Sequence, residues 1–399
     1  MIASLLACAV MSGAQSNSSD RVVMAHYMPW FAAKPTSPEW GWHWTMGKLN
    51  PDRTVNGRRE AASHYTPLLG LYDSGDTQAL ECHALLMKFA GIDGVMVDWY
   101  GIREHYDYAI NHRNARRMFD AVRKAGLKFA LVYEDQTIPQ LIKGGKLKAD
   151  ETVQHGKEIL RWVEANWFRS PTYLKQNGRP VFLVFGPQHF QRSDWERIFE
   201  GLSPKPAYFS LHHRREPAIG AYDWPLPKGG SEGSDRERAA FFARTKDWSA
   251  FIPVAYPRFH DYYKEAGVHE SWGSIADIKG KTFERTLTEA LASSAPVVQI
   301  ATWNDWGEGT MIEPSVEFGY RDLETTQRLR RKTLGNRLPY QPADLRLPVR
   351  LYHLQKRHAK DRVTAAKLDQ VSRWLFAGQL DRARQRLDAL DRAFANRRP

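Results

Sequence analysis

Seven short runs of apolar, β-branched and aromatic residues recur along this chain, with helix-forming stretches between them. The runs occupy 21–30 (RVVMAHYMPW), 94–100 (GVMVDWY), 128–135 (KFALVYED), 180–186 (PVFLVFG), 207–213 (AYFSLHH), 251–256 (FIPVAY) and 297–303 (VVQIATW), and a weaker eighth is expected over 316–323. Between them, 77–90, 111–125, 150–166, 194–201, 236–247 and 282–293 carry spaced apolar positions suited to helices. A strand that is apolar at consecutive positions is covered on both faces, and strands alternating with helices pair in parallel. Seven or eight such units predict an α/β fold closed as a (β/α)8 TIM barrel rather than an open sheet. A length of 399 residues leaves room for one barrel and an appendage.

Such a barrel places its active site at the C-terminal ends of its strands. Here those ends carry Tyr27, Trp30, Asp98, Trp99, Tyr100, Glu134, Asp135, His212, His213, Tyr256, Arg258, Asp305 and Glu308, whereas the strand starts carry no such set. Taken singly, each has a bland alternative: Asp98 capping a loop, or Glu134-Asp135 opening the next helix. Collected at one end, they predict a site. The densest stretch is 300–314, IATWNDWGEGTMIEP, where Asp305 and Glu308 stand three residues apart beside Trp303 and Trp306, directly after a buried run. Paired carboxylates among aromatics suit glycoside cleavage. One acid protonates the leaving oxygen, the other carboxylate activates the attacking group, and aromatic faces carry sugar rings. Asn304 and Trp306 are expected to join the substrate-binding set. The long loop over 31–67 contains Trp40-Gly-Trp42-His43-Trp44, which is read as a sugar-binding wall. The alternative is an aromatic plug in the side of the barrel.

Charge narrows the partners. The net charge is +12, yet residues 328–399 hold 19 Lys and Arg against 6 Asp and Glu, so the rest of the chain is close to neutral. With no nucleic-acid motif, the basic tail reads as a solvated helical surface, and no nucleic-acid partner is expected. Residues 1–20 combine a short apolar stretch, small residues and a Ser/Asn linker, which predicts an exported protein, although a basic leader segment is lacking. No later segment is long and apolar enough to span a membrane. Cys8 and Cys82 make no disulfide framework. His212 and His213 are adjacent and point to opposite faces of a strand. No paired Cys/His or HExxH spacing occurs, and no cofactor or metal is expected. A serine-hydrolase elbow is also missing. The domains read as a possible leader (1–20), a catalytic barrel (21–335) and a basic extension (336–399). In that extension a Pro-rich linker or extended strap at 337–348 precedes a helical hairpin over 363–375 and 380–394.

The stretch WNDWGEGTMIEP resembles the strand-end signature of glycoside hydrolase families 71 and 99 and their 71/99-like relatives. Trp303 to Glu308 is nearer the family 71 form, and Glu308 to Glu313 is nearer family 99. The opening strand, Ala25-His-Tyr-Met-Pro-Trp30, and the His43-Trp44 pair also resemble the start of these barrels, and the likeness covers about residues 22–323. The resemblance implies a (β/α)8 hydrolase of α-linked glycans, either α-mannan-like or α-glucan, with Glu308 as general acid and Asp305 as the partner carboxylate on the seventh strand. In family 99 that partner is a glutamate thought to deprotonate the sugar 2-hydroxyl. Asp305 is one methylene shorter, which leaves activation of water open as well. Two other functions are compatible with the same residues: a barrel associated with polysaccharide assembly, and a carbohydrate-binding barrel without catalysis.

Overall fold

The computed structural model describes residues 21–395, so the leader and Cys8 lie outside the described residues. Eight parallel strands form the barrel: β1 (Val22–Tyr27), β2 (Gly94–Trp99), β3 (Lys128–Tyr133), β4 (Arg179–Val184), β5 (Ala207–Leu211), β6 (Gly220–Tyr222), β7 in two halves (Phe251–Ile252 and Val254–Ala255) and β8 (Val297–Ile300). Each pairs with its successor, and β8 pairs with β1 from Val22↔Val297 to Ala25↔Ile300. The ring closes through β7, whose first half pairs with β6 and second half with β8. Pro253 divides those halves because it brings no N–H to a ladder, although its carbonyl still accepts from the Gln299 amide at 3.0 Å.

Two expectations are corrected. The eighth strand is not 316–323, which holds a turn and the start of the helix Arg321–Leu334. It is Gly220–Tyr222, at three residues too short for any periodicity to reveal. The strand that carries the carboxylate pair is therefore the eighth of the barrel, not the seventh. The Pro-rich stretch over 337–348 is also more than a linker. It contains the 3-10 turn Pro342–Leu345 and enters the helix Arg346–Arg357.

The interior strands are buried along almost their whole length, with Arg179 at the start of β4 half-exposed, as their unbroken apolar runs require. Backbones approach closely where strands begin: a Cβ at Gly94 would lie 2.2 Å from the Lys128 carbonyl, so only glycine fits there. At the same end, Arg330 is fully buried and bonds to the Gly91 carbonyl (2.9 Å), the Arg21 carbonyl (3.0 Å) and Asp93 (2.7 Å). The last helices, Arg346–Arg357, Arg362–Phe376 and Leu380–Ala395, bury Leu351, Leu368, Val371, Leu375 and Leu387 in the same apolar core as the barrel. Several charges of this basic extension form ion pairs within it, Arg350 with Asp388 and Asp391, and Arg384 with Asp344. Among the described residues no helix is long and apolar enough to cross a membrane.

Candidate active site

Beyond Ile300 the chain folds back on itself over the barrel mouth. The Thr302 amide donates to the Thr310 carbonyl (3.0 Å), the Glu313 amide to the Trp303 carbonyl (2.9 Å), and the Trp303 amide to the His26 carbonyl of β1 (2.7 Å). Thr302 Oγ1 then accepts from the Asp305 amide at 2.8 Å, and Asp305 Oδ1 accepts from the Glu308 amide at 3.0 Å. The two carboxylates thus line one cavity of about 260 Å³, together with Trp30, Trp42, His43, Asp98, Tyr100 and Glu134. A second chamber of about 490 Å³ adjoins it across Trp42, His43, Tyr100 and Glu134, walled by Tyr106, Tyr108 and Gln140. Trp30 stacks on His43 with ring centroids 4.1 Å apart, and His43 Nε2 lies 3.3 Å from Asp107.

The two carboxyls experience different surroundings. Burial raises Asp305 to about 6, opposed by the backbone amides of Glu308 and Gly307. Burial followed by the neighbouring charge of Asp305 pushes Glu308 well above the usual carboxyl range, because its side chain has only Tyr263 to counter those effects. One carboxyl is thus set to ionise first while the other keeps its proton, which is the division of labour acid–base cleavage needs.

Behind the loop is a buried network that the sequence reading missed. Glu313, 3% exposed, accepts from Tyr72 Oη (2.8 Å) and Trp306 Nε1 (3.2 Å) and meets His83 Nε2 at 3.0 Å. Asn304 donates to Tyr72 Oη (3.0 Å) and to the Met28 carbonyl (2.9 Å), while its Oδ1 accepts from the Met28 amide (2.8 Å). Tyr27 Oη bonds to His83 Nδ1 at 3.1 Å. Tyr27, Asn304 and Trp306 therefore hold the loop from behind and do not line the cavity.

Other expected members of the site also lie elsewhere. Trp44 is fully buried against Phe31, with ring centroids 4.2 Å apart, and its Nε1 donates to the Tyr72 carbonyl, so the plug reading fits this residue. Trp40 sits on the outer loop, donating to Asp52. Trp99, one residue from Asp98 and hence on the opposite face of β2, packs among His112, Trp162 and Trp167. Asp135 caps a loop, accepting from the amides of Gln188, His189 and Phe190. His212 contacts Asp223 at 3.2 Å, and Tyr256 bonds to Ser234. Conversely, His26, Gln136, Trp224 and Tyr263 line the cavity without having been singled out. Tyr263 comes from the loop after β7, where no periodic signal points inward. Among the described residues no cluster of His, Cys, Asp and Glu is arranged as a metal site.

Comparison with known proteins agrees with this architecture. The chain is 22% identical over 320 residues to a glycoprotein endo-α-1,2-mannosidase-like protein of Danio rerio, covering 74% of this chain and 66% of that protein. It is 22% identical over 309 residues to the glycoprotein endo-α-1,2-mannosidase of Rattus norvegicus, covering 69% and 62%. The chain thus spans slightly less than two thirds of the length of these curated relatives. The GH99 endo-α-mannosidase structure from Bacteroides thetaiotaomicron superposes with a TM-score of 0.59 at 18% identity, over 80% of this chain and 99% of that one. The likeness to the 71/99-like glycoside hydrolases is supported. No family model matches the chain.

Proposed function

We propose that this protein is a glycoside hydrolase of α-linked glycans, with Glu308 as general acid and Asp305 as the carboxylate that activates the attacking group. The observation that carries the reading is the cavity in which both carboxyls converge, with the Glu308 amide bonded to Asp305 and the two acids held at different affinities for the proton. In this scheme Glu308 gives its proton to the glycosidic oxygen as the bond to the anomeric carbon breaks. Asp305 takes a proton either from water or from the sugar 2-hydroxyl. Trp30, Trp42 and Tyr100 offer ring faces to the sugar, and the adjoining chamber has room for a further ring. The names of the curated relatives favour α-mannosides ahead of α-glucans. The protein is further proposed to act outside the cytoplasm, on the strength of its first 20 residues.

Incubation with α-mannan and α-1,3-glucan, with product anomers followed by NMR, tests the proposal. Release of oligosaccharide that is lost in Glu308→Gln supports it. Tight glycan binding with no turnover on any α-glycan or activated aryl α-glycoside would identify a binding barrel instead.

A further inference from the structure

Four carboxyl groups converge on the cavity at the strand ends: Asp305 and Glu308 from the loop after β8, Asp98 from β2, and Glu134 immediately after β3. The reaction proposed above uses two of them. Among the described residues the cavity lining contains no Lys or Arg. Its imidazoles supply no cation either, because burial brings His26 down to about 3 and lowers His43 in spite of Asp107.

Asp98 near the end of β2 and Glu134 just past the end of the neighbouring β3 are tied by the Glu134 amide donating to the Trp99 carbonyl at 3.0 Å. Asp98 is 2% exposed and lines the cavity, yet its Oδ1 accepts no hydrogen bond from the described residues. Glu134 accepts from Gln136 and shares a side-chain hydrogen bond with Asp98. Asp135, next along the chain, accepts three backbone amides and is satisfied internally. The contrast is informative: of two consecutive acids, one is consumed by the fold and the other is left facing the cavity beside a second acid.

In the free protein this pair can hold a proton between its members. Burial and then Glu134 raise Asp98, and burial raises Glu134. A sugar hydroxyl can donate to one carboxylate but does nothing for the like charge of two. An ammonium group replaces the shared proton, donates to both acids and cancels charge in a site with no other cation. We infer that Asp98 and Glu134 form an acidic clamp for a positively charged substituent, so that the glycan bound here carries a basic amine, as in an amino sugar with a free ammonium group. The hydrolase reading supplies the reaction on which this inference rests, whereas the clamp itself is a statement about binding.

Calorimetric titration of the full chain with glucosamine, mannosamine and galactosamine, each beside its N-acetyl form, separates the two. At least one amine is expected to bind tenfold or more tightly than its N-acetyl counterpart. Its binding should also release protons, read as a dependence of the heat on the ionisation enthalpy of the buffer. Asp98→Asn, which preserves shape, should reduce the tenfold preference to twofold or less, and Glu134→Gln should do the same, so that either folded variant reads the clamp if the other fails to fold. Equal affinity for amine and N-acetyl forms overturns the inference, as does the absence of amine binding, or an amine preference that survives both substitutions. Amine selectivity without cleavage of any activated α-glycoside would fail the hydrolase reading alone. Cleavage of neutral glycosides without amine selectivity would fail the clamp alone.

Discussion

Two groups of buried and half-buried acids flank the loop after β8, and they are treated in opposite ways. On the outer side Asp277 and Asp322 meet Arg258 and Arg321. Arg258 Nε lies 3.1 Å from Asp277, Arg258 also bonds to Asp322, and Arg321 reaches Asp277 at 2.5 and 2.9 Å, with the Phe318 ring 3.9 Å from the Arg258 guanidinium carbon. Burial pushes Asp277 up, but its hydrogen bond and charge contacts with the two arginines bring it below the usual range. On the cavity side, Asp98, Glu134, Asp305 and Glu308 have no arginine or lysine among them, and all four are raised. A buried acid with a matched cation secures the fold, and one without is held in reserve for a ligand or a proton. Arg258 lies just beyond the end of a barrel strand as the catalytic candidates do, so position relative to the strand did not tell these classes apart. The partners do.

The largest effects are expected on the cavity side. Glu308→Gln and Asp305→Asn should each lower turnover of a natural glycan by about 10²- to 10⁴-fold while leaving the cooperative unfolding transition intact. An activated aryl glycoside should spare the Glu308 variant and not the Asp305 variant. The reverse pattern would exchange their roles.

On the outer side, Arg258→Met leaves Asp277 and Asp322 short of a buried cation. The cost is expected at about 3 to 5 kcal/mol in denaturant unfolding, with turnover per folded molecule largely kept. Loss of activity without loss of stability would place Arg258 with the chemistry and dissolve the contrast.

The tryptophans of the first loop sharpen the same division at smaller scale. Trp44→Ala should cost about 3 to 5 kcal/mol of stability through its core cavity and leave glycan affinity nearly unchanged. Trp42, 46% exposed at the cavity, should show the converse, with about 1 kcal/mol of binding lost on truncation and no shift in unfolding. Similar effects on both measurements in both variants would mean that the loop acts as one unit.

A further effect concerns pH. The folded state raises Asp305 from 3.8 to about 6, so it holds the proton more tightly than the unfolded chain. Its contribution is therefore complete below about pH 4 and is lost as pH rises through about 6. Asp305→Asn removes that loss, and the variant is expected to be about 1 to 3 kcal/mol more stable than the parent at pH 8 and equal to it at pH 3. Activity should instead rise through about pH 6 as Asp305 ionises. Urea titrations and pH–rate profiles read the two trends separately.

The barrel was legible because most of its strands are apolar on both faces and differ plainly from the helices between them. β6 was not, since three residues of Gly-Ala-Tyr carry no pattern. The carboxylate pair was legible from its place after a strand. Whether a neighbour faced inward was harder to read: Asp98 and Trp99 differ by one position and point to opposite sides, and Glu134 and Asp135 are split in the same way. The network through Glu313, Tyr72 and His83 joins residues about 230 positions apart, and no local spacing announces it.

The buried Arg330 has a consequence for how such a chain comes into being. Its guanidinium joins the carbonyls of Arg21 and Gly91 to Asp93, and the β1–β8 seam joins Val22 to Val297. β1 therefore waits for residues about 275 to 309 positions later before its open edge is covered and its end is fastened. Until then an apolar edge stays exposed, which is the state most prone to mispairing. A nascent chain stalled short of residue 330 should be captured by holding chaperones and digested quickly, and extension past Arg330 should bring protection of the barrel in a single step rather than strand by strand.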